Sequence, residues 1–387
     1  MSARRSGTPT RQAARKRRIE PEEAMRLALR QAARGQGRVW PNPSVGAVIF
    51  RGGKILGSGL TVSPPGPHAE IVAMRAVSRR HGEAALRGAS IAVTLEPCAH
   101  HGRTGPCADA LIEAGIARVY AGCGDPHSQV AGAGYRRLRR AGVRVETGVL
   151  GGLCRESHRG FLSLVLRKRP FVTLKLASSM DGRIATASGE SRWITGARAR
   201  RWVHDLRARV DGVMVGSGTA LADDPQLTAR RGGRVIHRPV RVLVDSRLRL
   251  PVRAALYSDL ARAETWVLCG QGVRGLRSRA ATGARLFELP ARDGHLDLKR
   301  ALRELARAGL GSLLVEGGGE LAAALLRAKL VDEIHWLLAP KLIGADGRPA
   351  LGALGLDRLA QASLLRDVRT RRLDDDIQIT ARLGDFP

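Results

Sequence analysis

The feature that most restricts this chain is a pair of short segments, "GPHAE" (66–70) and "TLEPCAHHGRTGPC" (94–107). Between them lie a stretch read as a helix from His68 to about Arg80 and a strand at "SIAVTL" (90–95). Each segment falls where a strand gives way to a helix, so a fold that uses both must bring those ends together. The residue types suit a catalytic zinc site, in which three protein ligands leave a fourth position for water. His68, Cys98 and Cys107 would supply one nitrogen and two thiolates, and Glu70, two residues from His68, would remain free as a proton carrier.

The strand–helix alternation extends over the whole chain. "EPEEAMRLALRQAARG" reads as a helix, with Pro21 in its first turn and Gly35 as a stop. "SVGAVIF" and "GKILGSG" read as a hairpin turning at Gly52–Gly53. A helix at "CADALIEAG", a strand at "ARVYAG", a helix near 131–141 and a strand at "VRVETGVL" follow. A second series has strands at 171–177, 212–216, 239–245, 265–269, 312–315 and 333–338, with helices at about 197–210, 296–309 and 320–329. This pattern predicts an α/β protein with largely parallel sheets. The expected division is a basic, disordered tail at 1–19, a first domain at 20–152, a helical linker at 153–169 and a second domain at 170–387.

Composition narrows the function only in part. The net charge is +30, but 58 of the 65 basic residues are arginines spread through every segment, which fits a codon bias as well as a nucleic-acid surface. Aromatic residues make up 3%, too few for base-stacking platforms, and a basic chain equally suits small phosphorylated ligands. No apolar run has the length a bilayer requires, and the basic start has no apolar stretch for a signal peptide. Five cysteines, an odd number, point to a reducing cytoplasm rather than a disulfide framework.

H-x-E followed by P-C and a later cysteine is the arrangement of zinc-dependent base deaminases, although their usual C-x-x-C spacing is widened here to eight intervening residues. Such a metal lowers the pKa of its water to give hydroxide near neutral pH. A lone His-x-Glu or a pair of buried thiols would be unremarkable, and it is their shared strand-to-helix context that favours zinc. His100 and His101 read as substrate-pocket or loop residues, because a Cys98–His100 chelate would be strained and leave Cys107 unused. In the second domain "SLLVEGGGELAAALL" is strand, glycine run and helix, and Gly317, Gly318 and Gly319 allow a close backbone approach at a helix N-terminus that favours phosphate. A tight strand–helix turn explains the same glycines, and the full dinucleotide fingerprint is missing.

Together "PNPSVGAVI" (41–49), the two zinc segments, "KLASSMDGRIATASGESRWIT" (175–195), "ALADDPQLTAR" (220–230) and "VEGGGELAAALL" (315–326) resemble the bifunctional riboflavin-biosynthesis deaminase–reductases over nearly the whole chain after about residue 20. The resemblance implies a cytidine-deaminase-like three-layer domain followed by a dihydrofolate-reductase-like domain. It implies zinc on His68, Cys98 and Cys107, Glu70 as the proton shuttle, and Asn42 as a substrate contact. It further implies NADPH along Ala177, Trp193, Thr219, Asp223 and Ser246, with Arg247 near the 2′-phosphate. Ser191, Arg207, Leu227, Arg230 and Glu316 then match substrate-side positions, with Arg207 and Arg230 suited to clamp phosphate. The reaction implied is deamination of a phosphoribosylated diaminopyrimidine, then reduction of its ribosyl group to ribityl. A homo-oligomer is expected, with neither nucleic acid nor membrane as a partner. Two departures from the family are Leu60–Thr61 in place of an aromatic–His pair and Gly105 in place of proline. Two alternatives stay open: a nucleic-acid deaminase whose second half binds RNA, and a deaminase whose reductase-like half serves assembly alone.

Overall fold

The computed structural model describes residues 19–99, 105–127 and 131–384. The expected basic tail, apart from Ile19, and the paired histidines 100 and 101 lie outside the described residues.

The first unit runs α1 (Pro21–Gly35), β1 (Gly46–Arg51), β2 (Lys54–Leu60), α2 (Ala69–His81), β3 (Ser90–Leu95), α3 (Cys107–Glu113), β4 (Arg118–Cys123), α4 (Ala133–Arg140) and β5 (Arg144–Thr147). Its sheet has the order β2-β1-β3-β4-β5. Consecutive residues Ile91, Ala92 and Val93 of β3 are all fully buried, which requires cover on both faces and hence three layers. The sheet is more mixed than the alternation suggests: β1 is antiparallel to both β2 and β3, and only β3-β4-β5 run parallel. The cause is local. Gly52 and Gly53 both take positive φ, 56° and 79°, as a tight hairpin turn needs, and the hairpin reverses β1 against its neighbours.

Two helices, α5 (Gly151–Ser157) and α6 (Arg159–Arg167), form the connection. Cys154 of α5 is buried in the first core, whereas α6 packs on strands of the second sheet. The second unit comprises β6 (Phe171–Ser179), α7 (Ala197–Arg207), β7 (Gly212–Gly216), α8 (Ser217–Asp223), β8 (Val240–Val244), β9 (Thr265–Gly270), β10 (Arg285–Leu289), α9 (Leu298–Arg307), β11 (Ser312–Val315), α10 (Gly319–Arg327), β12 (Glu333–Ala339), β13 (Arg366–Leu373) and β14 (Asp376–Arg382). Its main sheet has the order β10-β9-β8-β7-β11-β6-β12-β14-β13, parallel up to β12 and antiparallel beyond. Leu313 and Val315 of β11 belong to one core with Ala301, Leu305 and Leu325, while Leu314 faces the other with Val213 and Leu243. Alternate side chains thus fill two layers, one on each side of the sheet.

The sequence reading misses α8, β10 and the β13–β14 hairpin. β13, "RDVRTRRL", is exposed at seven of its eight positions, so no apolar alternation marks it. The five cysteines are all free, and no helix among the described residues is long and apolar enough to cross a membrane.

Candidate active sites

The first site forms where β1 begins and β3 ends. His68 caps the N-terminus of α2, Cys98 follows β3, and Cys107 opens α3. The Nδ1 of His68 lies 3.3 Å from the Sγ of Cys107 and 3.6 Å from that of Cys98. All three ligand atoms fall within 4.8 Å of one another. Tetrahedral zinc with Zn–S of about 2.3 Å and Zn–N of about 2.0 Å sets its nitrogen and sulfur about 3.5 Å apart, so this donor set fits zinc. The Cys107 N–H donates to the Cys98 Sγ (3.2 Å), and the Ala108 N–H donates to the Cys98 carbonyl (3.1 Å), so the start of α3 holds the Cys98 loop.

The electrostatics agree with a cation site. The Cys107 thiol beside it, together with His68 and the Cys107 N–H, holds Cys98 well below the usual thiol range despite burial. Cys107 is pushed up by the adjacent Cys98 and by burial. Two thiols sharing one proton over an imidazole nitrogen are a donor set that a metal cation satisfies better than a proton does. Glu70 is buried at 3% exposure, and burial followed by the Cys98 charge pushes its carboxyl up to about 7.

Asn42 reaches this end of the sheet through register. In the β1–β3 pairing Ala47 faces Val93 and Val48 faces Ala92, so the start of β1, which the Pro41–Pro43 turn leads into, lies beside the end of β3 from which the Cys98 loop leaves. Thr61, one of the two departures from the family, is buried and accepts the Val45 N–H (3.2 Å), so it braces the turn's exit. Glu96 went unremarked in the sequence. Its buried carboxylate accepts the N–H groups of Asp125, Gly132, Gly134 and Tyr135 and ties the start of α4 to the Cys98 loop. A charged residue closing an apolar strand just before a proline was the signal available.

The second site lies at the carboxyl ends of β7 and β11. The Gly318 N–H donates to the Thr219 Oγ1 (2.8 Å), which joins the starts of α10 and α8. A Cβ at Gly319 would come within 2.9 Å of the Pro349 carbonyl and one at Gly317 within 2.8 Å of Leu321, so close packing alone accounts for these two glycines. Gly318 and Gly218 leave more room: a Cβ at Gly318 meets only Thr219 Oγ1 at 3.2 Å, and one at Gly218 meets nothing within 4 Å. Two helix starts side by side at the ends of parallel strands suit the phosphates of a dinucleotide such as NADPH.

Arg207 and Glu316, both expected on the substrate side, bind each other. Nε and Nη2 of Arg207 donate to the two carboxylate oxygens at 2.5 and 3.0 Å, and Nη1 donates to the Thr228 carbonyl. Lys175 lies 3.5 Å from the same carboxylate. Burial would raise Glu316, but Arg207 and Lys175 prevail and hold it at about 2. The fork expected of Arg207 toward phosphate is thus made with Glu316. Arg230, half-buried, is steadied by Thr228 and Gln226. Trp193 is 62% exposed beneath the Arg200 guanidinium, which excludes a core role. Leu227 is buried in the core, Ala177, Ser191 and Ser246 are half-buried, and Asp223 is exposed at the end of α8. Asp181 serves a turn, accepting the N–H groups of Ile343 and Gly344.

Comparison with known proteins gives the same two halves. Residues 18–123 match the cytidine and deoxycytidylate deaminase zinc-binding region, and residues 170–379 match the RibD C-terminal domain. The chain is 41% identical to the riboflavin biosynthesis protein RibD of Escherichia coli (strain K12) over 371 residues, covering 93% of this chain and 98% of that one. Acinetobacter baumannii RibD, form 1, superposes with a TM-score of 0.84 at 36% identity, over 94% of this chain and 99% of that one. A deaminase/reductase from Thermotoga maritima superposes with a TM-score of 0.82 at 33% identity and the same coverage.

Proposed function

Because the chain belongs to the RibD family of riboflavin-biosynthesis proteins, we propose a residue-level reading of its two reactions. It is a bifunctional enzyme of riboflavin biosynthesis, a zinc-dependent deaminase joined to an NADPH-dependent reductase. The substrates are those named for the Thermotoga maritima relative: a diaminohydroxyphosphoribosylaminopyrimidine, then 5-amino-6-(5-phosphoribosylamino)uracil. Residues 20–152 carry the first step, 170–387 the second, and α5 and α6 join them.

In the first step His68, Cys98 and Cys107 hold zinc, which when bound supplies a hydroxide nucleophile near neutral pH. Glu70 takes the proton of the attacking water, delivers it to the ring nitrogen, and then assists the departing ammonia. A carboxyl raised by burial to about 7 suits a group that must both accept and return a proton. Asn42 contacts the pyrimidine.

In the second step bound NADPH would supply the hydride, and the conversion of ribosyl to ribityl takes up one proton besides. Thr219 and Gly317–Gly319 would hold the cofactor at the two helix starts, with Ala177, Trp193, Asp223 and Ser246 as further contacts. The Lys175–Glu316–Arg207 set is charged and buried on the substrate side, and with Ser191 and Arg230 it orients the phosphorylated sugar, while Leu227 packs in the core behind them. Positioning of donor and acceptor carbons dominates such a transfer. The enzyme works in the cytoplasm on a small phosphorylated pyrimidine rather than a nucleic acid. A homo-oligomer is supported by the strongly exposed apolar side chains of Leu342, Leu359 and Leu364.

The observation that carries this reading is the convergence of His68, Cys98 and Cys107 beside buried Glu70. Its test follows ammonia release and NADPH oxidation together from the diaminopyrimidine substrate. Ammonia first, then an equal loss of NADPH, is expected. Ammonia without NADPH loss would leave a deaminase with an assembly domain, and silence in both would turn attention to RNA.

A further inference from the structure

Between α1 and β1 the chain leaves the deaminase and lies against the reductase. Gly37, at φ 72°, has no space for a side chain: a Cβ would come within 2.7 Å of the Val210 carbonyl. The Arg38 Nη2 donates to the Ile236 carbonyl (3.2 Å). Trp40 packs against the reductase core and meets Trp266 edge to face, with ring centroids 6.1 Å apart and planes at 85°. Pro41 presses on Gly309, whose φ of 97° and lack of a Cβ allow the approach; a Cβ there would lie 2.9 Å from the proline ring. Asn42 follows at once, its N–H donating to the Val39 carbonyl (3.1 Å), and β1 then begins at the zinc end of the deaminase sheet. A second tie comes from the connection between domains: the His158 ring meets the Thr94 hydroxyl (3.0 Å), which accepts the Gly46 N–H (3.1 Å).

Every reductase residue in the first set of contacts lies at or just before the amino end of a parallel strand: Val210 before β7, Ile236 before β8, Trp266 in β9 and Gly309 before β11. The Glu316–Gly319 segment lies past the opposite, carboxyl end of β11. The surface that receives Trp40 is therefore separate from the cofactor cleft, and nothing in the reductase chemistry requires it. A tryptophan leaving its own domain to pack its half-buried ring against a neighbour, two residues before a site residue, restricts that residue's backbone.

We propose that the reductase domain is a working part of the deaminase site, with Trp40 as the positioning residue that fixes the backbone of Asn42 at the entry to β1. The inference rests on the reading of Asn42 as a substrate contact. It makes the two domains one device for the first reaction, apart from any passage of product between them.

The test uses the full-length, zinc-loaded chain. Deamination kinetics, zinc per chain, and NADPH oxidation with the deaminated substrate are measured for Trp40→Ala, Trp40→Phe, Gly309→Ala, Asn42→Ala and the Trp40→Ala/Asn42→Ala pair. Trp40→Ala is expected to raise the KM of deamination about tenfold, the scale of one lost hydrogen bond to the substrate. Its kcat, zinc content and NADPH oxidation should stay as in the parent, since a lost binding contact moves KM alone. Gly309→Ala, made in the other domain, should act in the same direction, and Trp40→Phe should restore most of the loss. The double variant should be no worse than Asn42→Ala. Additive effects, an unchanged KM in Trp40→Ala, or a KM rise accompanied by loss of zinc or of NADPH oxidation would overturn the inference while leaving Asn42 in its role. An Asn42→Ala variant with the parent's KM would instead remove the reading beneath it.

Discussion

Glu316→Gln isolates the charge network of the reductase site. In the parent the carboxylate faces the Arg207 fork and the Lys175 ammonium and titrates at about 2 instead of its ordinary 4.5. A depression of that size corresponds to about 3 kcal/mol of stability at neutral pH. The direction follows from the depressed pKa: the contribution is complete above pH 4.5 and is lost as pH falls toward 2. Glutamine keeps the shape and removes the charge, so at pH 7 the variant should be less stable by about 3 kcal/mol, in line with breaking one partner of a buried pair. At pH 3.5 the parent has lost about 1.4 kcal/mol of this term and the variant none, so the gap should narrow to about 2 kcal/mol. Urea unfolding followed through the tryptophans of the second domain at the two pH values measures both gaps. A gap that stays constant across the range would refute the assignment of the shift to these two cations. Ammonia release should be unaffected by the change, while NADPH oxidation should fall.

Glu70→Gln should retain zinc by metal analysis and lose deamination by about 10²–10⁴-fold, the usual contribution of a positioned proton carrier; near-normal ammonia release would remove Glu70 from the mechanism. Cys107→Ser should lose metal and activity together, and full zinc occupancy would mean that a different third ligand is used. His158 is fully enclosed, and burial lowers its pKa to about 4 from 6.5, so the fold loses about 3 kcal/mol as pH falls from 6.5 to 4, where the unfolded chain takes up a proton that the buried ring refuses. His158→Gln should flatten the stability profile between pH 6.5 and 4, and a profile matching the parent in that window would count against the buried neutral ring.

The zinc site was legible because its chemistry leaves little choice of residue. Nitrogen and thiolate ligands with a free carboxylate, each at a strand-to-helix boundary, have few other uses, and a layered sheet brings such boundaries to one end. The strands of both cores were legible for a related reason: "SIAVTL" and "SLLV" are buried on both faces and must be continuously apolar. The β13 edge was not, since an exposed strand carries whatever solvent tolerates, here Arg366, Arg369, Arg371 and Arg372 with no apolar alternation. The sequence by itself determined the two family halves, the His68–Cys98–Cys107 cluster and the glycine turn after β11, because each depends on residue type and local spacing. Only the tertiary structure decided that Arg207 is bound to Glu316, that Glu96 ties down the loop beside the metal site, and that Trp40 of one domain packs against the core of the other. Those partners lie far apart along the chain, and no local pattern records which distant side chain will satisfy a charge or cover a ring.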